Sequence, residues 1–125
     1  MIQSIGVDIV DIARIDKVIQ RWDDTFLNKI LTPLEYIYCR SKPGLAASVA
    51  ARFAVKEAVY KALPDSIQPK ARWLDVQIVN ELSGRPQIEF KDNLAHLEDD
   101  YIVHVSISHS KNSAVAMVVF EKKVL

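Results

Sequence analysis

Apolar residues recur along the chain in two periods, and the switches between them outline its elements. Residues 2–10 alternate weakly, Ile2, Ser4 and Gly6 against Ile5, Val7 and Ile9, so a short apolar piece ending at Asp8 suits a strand. From Asp11, a plausible N-cap, Ile12, Ile15, Ile19 and Trp22 recur at helical spacing. Thr32-Pro33-Leu34-Glu35 joins a capping-box pattern to a proline at the first helical position, which predicts a helix running to about Arg40. The stretch from Ser41 to Gly44 breaks the pattern. From Leu45 to Leu63 there is no Gly or Pro and much Ala, so the longest helix is expected there, with Pro64 stopping it. Its polar residues Arg52, Lys56, Glu57, Tyr60 and Lys61 are expected along one side, at a cleft or an interface.

The second half changes to period two. Trp73 to Leu82 reads as a strand, Ser83-Gly84-Arg85 as a turn and Pro86 to Phe90 as a returning strand. A short helix is expected within Lys91 to Asp99. Tyr101 to His109 alternates strictly, with Ile102, His104, Ser106 and Ser108 on one face and Val103, Val105, Ile107 and His109 on the other. Lys111-Asn112-Ser113 turns into a last strand, Ala114 to Glu121. The sum is an α+β fold, early helices packed on an antiparallel sheet.

Composition narrows the class. A chain of 125 residues buries roughly two-thirds of its unfolded surface, enough for one core and too little for two domains, so a single domain over 1–125 is expected. The lone Cys39 excludes an internal disulfide framework and a cysteine-rich zinc module, and fits a reducing, cytoplasmic setting. The longest apolar run, Ala114 to Phe120, is far below the ~20 residues of a membrane span. The start, Met1-Ile2-Gln3-Ser4, has no secretory pattern, so neither signal nor membrane partner is expected. Sixteen basic against sixteen acidic residues argue against a nucleic-acid partner, so a charged partner must meet a local patch. One such patch is Arg14, Lys17 and Arg21, which share a face of the first helix at i, i+3 and i+7, although three charges on a helix are also what a solvated face looks like.

Candidate chemistry rests on few side chains. Glu57 and Lys61 lie at i, i+4 on an otherwise apolar helix, a surface ion pair or, for a partly buried Glu, a cation ligand. Asp8 interrupts an apolar strand, and could be a cap residue or a second hard oxygen ligand suited to Mg²⁺ shared with substrate phosphates. His104 stands in a polar row with Ser106 and Ser108, either a structural histidine or part of a ligand surface. His104 and His109 face opposite ways, which speaks against a zinc pair. No nucleophile elbow, Walker loop or dinucleotide glycine motif is present.

Together these residues resemble a known family. Gly6-Val7-Asp8-Ile9-Val10, the run Arg52-Phe53-Ala54-Val55-Lys56-Glu57-Ala58-Val59-Tyr60-Lys61-Ala62-Leu63, Ser83-Gly84-Arg85-Pro86, and Val103-His104-Val105-Ser106-Ile107-Ser108-His109-Ser110 are similar, in order and spacing, to the small phosphopantetheinyl transferases of the holo-acyl-carrier-protein synthase type. The resemblance runs nearly end to end, and the middle motif is highly specific. It implies the 4′-phosphopantetheinyl transferase fold and Mg²⁺-dependent transfer of 4′-phosphopantetheine from coenzyme A to a serine of apo acyl carrier protein. It also implies release of adenosine 3′,5′-bisphosphate and a role in fatty acid biosynthesis. By the same resemblance Asp8 and Glu57 would hold the metal, and Lys61 would act in catalysis beside them. Arg52, Lys61, Gly84, Arg85, Pro86, His104 and Ser106 would contact the coenzyme. Arg14 matches a carrier-docking position, with Lys17 and Arg21 beside it by spacing. A homotrimer with active sites between subunits is implied as well.

One stretch departs from that pattern. After Leu63 the family's glycine-rich loop is replaced by Pro64-Asp65-Ser66-Ile67-Gln68-Pro69, so glycine-dependent backbone contacts with the coenzyme are not expected there. Two other readings stay open on sequence alone: a non-catalytic coenzyme A or carrier-binding module, and a small structural domain.

Overall fold

The computed structural model describes residues 1–124. Strand β1 (Ile2–Asp11) leads through four helices, α1 (Ile12–Trp22), α2 (Asp24–Ile30), α3 (Pro33–Arg40) and α4 (Leu45–Ala62). A hairpin of β2 (Val76–Asn80) and β3 (Pro86–Phe90) follows, then a short α5 (Leu97–Asp100), β4 (Tyr101–His109) and β5 (Ser113–Lys122). β5 lies at the centre of an antiparallel sheet of order β1-β5-β4, and β2 and β3 form a separate two-stranded sheet. The fold is the α+β arrangement that the pattern predicts.

Local chemistry sets the helix starts. The Asp11 side chain accepts a hydrogen bond from the Ala13 amide at 3.0 Å, fixing the strand-to-helix turn. At α3 the capping box is complete: Thr32 Oγ1 accepts from the Glu35 amide and Glu35 Oε1 from the Thr32 amide.

Helix α4 lies across the inner face of the three-stranded sheet, where Gly6, Val10, Ala114, Ala116, Val118 and Phe120 are buried. Gly6 makes the approach possible. A Cβ built there would stand 1.9 Å from the Ala58 carbonyl oxygen, so only a residue without one permits this helix-to-strand distance. Alanines at 50, 54, 58 and 62 are buried along the same helix, and Ser4 Oγ donates to the Ala62 carbonyl at 2.6 Å.

Among the described residues no helix covers the outer face of the sheet. β1 exposes Ile5, Val7 and Ile9, and Met117 of β5 is exposed beside Val7. On β4 the outward residues are Ile102, His104, Ser106 and Ser108, all exposed as the alternation predicts.

A buried ion pair ties the helices to the hairpin. Lys56 Nζ donates to Glu35 Oε1 at 2.7 Å, to the Ile30 carbonyl at 2.6 Å and to the Trp73 carbonyl at 3.1 Å. Glu35 Oε2 accepts from the Ile78 amide at 2.9 Å. Burial pushes the Lys56 ammonium below the usual lysine range, with Glu35 opposing the shift.

Several sequence expectations need correction. β1 runs past Asp8 to Asp11, because β5 is long enough to pair with it as far as Ser113. The strand expected at Trp73 begins only at Val76; the Asp75 carboxylate accepts from the Arg72 amide at 3.0 Å and folds Trp73–Asp75 into a 3-10 turn. Lys91 to Asp99 holds a 3-10 turn at Asp92–Leu94 and the start of α5 rather than one helix. α2 was not foreseen. The polar strip of α4 also divides, since Arg52 and Lys56 are buried while Tyr60 and Lys61 are exposed. Lys61 stands 100° around the helix from Tyr60, so five polar residues over ten positions cannot share one edge.

Gly6→Ala is expected to destabilise the protein by about 1–3 kcal/mol, because α4 must lift from β1. Urea denaturation measures it, and an unchanged midpoint contradicts the close-approach reading.

Candidate active site

Gly6 brings α4 onto β1, and with it three of the sequence-predicted side chains. Asp8 projects from β1 towards α4, and Lys61 Nζ reaches it at 2.9 Å while also donating to the Val7 carbonyl at 3.0 Å. Lys61 thus pairs with the strand carboxylate, where helical spacing pointed to Glu57. The close packing of α4 on β1 puts an acceptor pair within its reach. Glu57 stands next to this pair, half-buried, and its carboxyl is held above the usual glutamate range. Burial is the main cause and the Asp8 charge adds to it, while Lys61 acts in the opposite direction.

Glu57 also separates two cavities. One of about 350 Å³ is bounded by Asp8, Arg14, Ile15, Phe26, Phe53 and Glu57. The other, of about 740 Å³, runs from Glu57 and Tyr60 over Leu63 and Trp73 to Asp75 and Leu94. A group held at Glu57 can therefore be approached from α1 and from the β2 side.

Arg14, Lys17 and Arg21 are exposed on α1, opposite the buried Ile15 and Ile19. Arg14 alone of the three reaches the cavity shared with Asp8 and Glu57. The basic face of α1 accordingly adjoins the carboxylates.

A third cavity, of about 430 Å³, gathers Arg52, Gly84 and Pro86. Arg52 donates to Asn80 Oδ1 at 2.6 Å, and its guanidinium lies 4.1 Å from the Tyr38 ring centroid. Its Nε is buried with no hydrogen-bond partner. Gly84 holds a φ of +90° in the turn, and its carbonyl accepts from Asn80 Nδ2. Arg85 between them is exposed and lies outside the cavity wall. Tyr38, Lys42 and Asn80, which the sequence pattern does not mark, join this wall together with His109. Of these, Lys42 beside Pro43-Gly44 at the opening of α4 carried the readable signal, a cation at a helix N-terminus with no side-chain cap.

His104 and Ser106 lie elsewhere. They stand on the outer face of β4, across β5 from β1, whereas Asp8 faces α4 on the inner side. One chain does not bring them together with the carboxylates. His104 Nε2 instead meets Glu121 Oε1 at 2.8 Å.

Among the described residues no group of three or more His, Cys, Asp or Glu side chains is arranged to hold a metal. Asp8 and Glu57 are the pair whose charges act on one another. Two hard carboxylates fit Mg²⁺ that keeps waters and shares substrate phosphates, and do not fit a metal caged by protein alone. The loop after α4 is folded too: the Pro64 carbonyl accepts from the Ile67 and Gln68 amides, and Gln68 Nε2 donates back to the Tyr60 carbonyl.

Comparison with known proteins matches residues 4–118 to the family model of the 4′-phosphopantetheinyl transferase superfamily. The chain belongs to that superfamily. The transferase is 46% identical over 114 residues to a holo-[acyl-carrier-protein] synthase of Chlorobaculum parvum, covering 91% of this chain and 94% of the relative. Among solved structures it is similar to the holo-(acyl-carrier-protein) synthase of Bacillus anthracis in complex with CoA (3′,5′-ADP), with a TM-score of 0.83, 38% identity and coverage of 98% and 99% of the two chains. The synthase of Helicobacter pylori in complex with coenzyme A gives a TM-score of 0.79 and 32% identity, covering 94% of this chain and 99% of that one.

The raised Glu57 value predicts how the metal-free transferase responds to pH. Below the ordinary glutamate value the side chain is protonated in folded and unfolded chains alike, and no penalty exists. Above the raised folded value both chains carry the charge, and only the folded chain bears its penalty. Glu57→Gln is therefore expected to be more stable than the parent at pH 7 without divalent ions, with the difference vanishing near pH 4. Equal urea midpoints at pH 7 contradict the assignment.

Proposed function

We propose that residues 1–125 form one transferase domain that moves 4′-phosphopantetheine from coenzyme A to a serine of apo acyl carrier protein and releases adenosine 3′,5′-bisphosphate. The observation that carries this reading is the meeting of Asp8, Glu57 and Lys61 where α4 crosses β1, beside the basic face of α1. The names of the relatives, and the coenzyme complexes of the similar structures, support the two substrates.

The serine Oγ attacks the β-phosphorus of the coenzyme, and the bond from that phosphorus to the bridging oxygen breaks. The nucleotide leaves with the bridging oxygen. Asp8 and Glu57 would hold Mg²⁺, whose charge would offset that building on the diphosphate. Lys61, already held at Asp8, is placed to stabilise or protonate the departing oxygen. A serine hydroxyl admitted from the α1 side needs a proton acceptor, a role open to water or to a nearby carboxylate of this cavity. Arg52, Gly84 and Pro86 form one concave wall for the nucleotide, with Arg85 at its rim. Acyl carrier protein, an acidic partner, docks on Arg14, Lys17 and Arg21.

The outer face of the sheet supports a homotrimer. Ile5, Val7, Ile9 and Met117 form an exposed apolar strip next to the polar row of β4, and a second copy packed there would carry its His104 and Ser106 towards this chain's coenzyme. No helix among the described residues is long and apolar enough to cross a membrane, and the one cysteine is unpaired, with burial pushing its thiol up to about 11. The unpaired cysteine suits a cytoplasmic setting, and the role in fatty acid biosynthesis follows from the family resemblance.

Incubation with apo acyl carrier protein, coenzyme A and Mg²⁺, read by mass spectrometry of the carrier, should show the phosphopantetheine gain. Asp8→Ala and Glu57→Ala, both folded, should slow it by about 10²-fold or more. Coenzyme binding without any mass gain would instead support a non-catalytic binding module. Arg14→Glu with Arg21→Glu should weaken carrier binding, and more so at low salt; unchanged carrier affinity removes the basic face from the account. Sedimentation should give three times the chain mass.

A further inference from the structure

The pairing of His104 with Glu121 is used by nothing described so far. His104 lies opposite Val119 in the β4–β5 register, and Glu121 is two residues further along β5 on the same outward face. That makes the two diagonal neighbours across the strands, close enough for long side chains to meet. Their contact is 2.8 Å, Nε2 to Oε1, although both side chains keep substantial exposure, 58% and 40%. Other outward side chains nearby are Ile102 and Ser106 on β4, Val119 on β5 and Ile5 on β1, none of them charged. Glu121 occupies one of the two ring nitrogens of the histidine, and the N-terminal ammonium also acts on its carboxylate.

We propose that Glu121 is a positioning residue for coenzyme binding, holding the His104 ring by Nε2 so that Nδ1 is the nitrogen presented to a phosphate oxygen. The proposal rests on the reading that His104 meets the phosphates of a coenzyme bound between copies of this chain. An ionised carboxylate only accepts hydrogen bonds, so Nε2 must carry the proton in the pair. The Glu121 carboxyl is held below the usual glutamate range, chiefly by this bond, which keeps it ionised. With Nε2 held by the carboxylate, Nδ1 is the ring nitrogen left to face a phosphate oxygen. Glu121 therefore fixes the orientation in which His104 faces an anion, without touching the anion itself. Ser106, next outward along β4, extends the same edge with a neutral hydroxyl.

Steady-state kinetics of the intact protein with coenzyme A and apo carrier test this through a double-mutant cycle. Glu121→Ala is expected to raise the KM for coenzyme A about tenfold, the scale of a charge-assisted hydrogen bond, while kcat at saturating coenzyme changes less than twofold. Glu121→Gln, which keeps the side-chain volume at the sheet face, should move KM in the same direction. His104→Ala should raise KM at least as much, and adding Glu121→Ala to it should change nothing further. Additive effects in the double variant, or a KM raised by Glu121→Ala and untouched by Glu121→Gln, would overturn the proposal by assigning the effect to packing. Unaltered KM in both Glu121 variants overturns it as well, with transfer by the parent protein intact. A parent protein that binds coenzyme and adds no mass to the carrier would instead bring down the functional reading beneath it.

Discussion

The Glu35–Lys56 ion pair is the contact on which the rest of this structure depends. It is enclosed on every side, and all three protons of the ammonium are taken: by α3, by the end of α2 and by the turn before β2. The carboxylate in turn caps α3 and holds the first residues of β2. Removing one partner of such a pair typically costs about 3–5 kcal/mol, because the other is left buried and unpaired. Segments from Ile30 to Ile78 converge on this point, and Glu57 is the next residue after Lys56. The pair that organises the helical layer thereby fixes the part of α4 that carries a site carboxylate.

A second constraint acts from the opposite side of α4. Gly6 admits the helix so close to β1 that Asp8, two residues on, comes within reach of Lys61 and near Glu57. The Glu57 carboxyl resists ionisation there, chiefly because it is half-buried and further because the Asp8 charge stands beside it. In a protein with no net charge this is a local cost that a divalent cation would relieve. The apolar strip and the His104 row on the far face of the same sheet fit a site that is finished by a neighbouring copy rather than by this chain alone.

Much of this was legible in the residues. The capping box at Thr32, the strict alternation of β4 and the unbroken run from Leu45 to Leu63 each carry a local signal strong enough to place an element. Asp8, Glu57 and Lys61 were identifiable as a set through the family motifs they belong to. Partnerships set by tertiary packing were not. Helical spacing joins Lys61 to Glu57, but only the approach permitted by Gly6 reveals Asp8 as its partner. Arg52 and Lys56 look like surface cations on α4 until α3 and β2 close over them. The 3-10 turn at Trp73 depends on a single side-chain bond from Asp75, which no periodicity in an apolar stretch announces. Asn80 meets Arg52 only after the β2–β3 hairpin folds back, so no spacing in the chain could join them.

The central claim is that Asp8 and Glu57 jointly hold the divalent ion over the coenzyme diphosphate. A crystal structure of the protein with coenzyme A and Mn²⁺, with an anomalous difference map, tests it most directly. The account predicts one strong peak within ligand distance of both carboxylates and of diphosphate oxygens, with Lys61 swung from Asp8 towards the phosphate. Bound coenzyme with the peak away from Asp8 and Glu57, or with no peak between them, would contradict it.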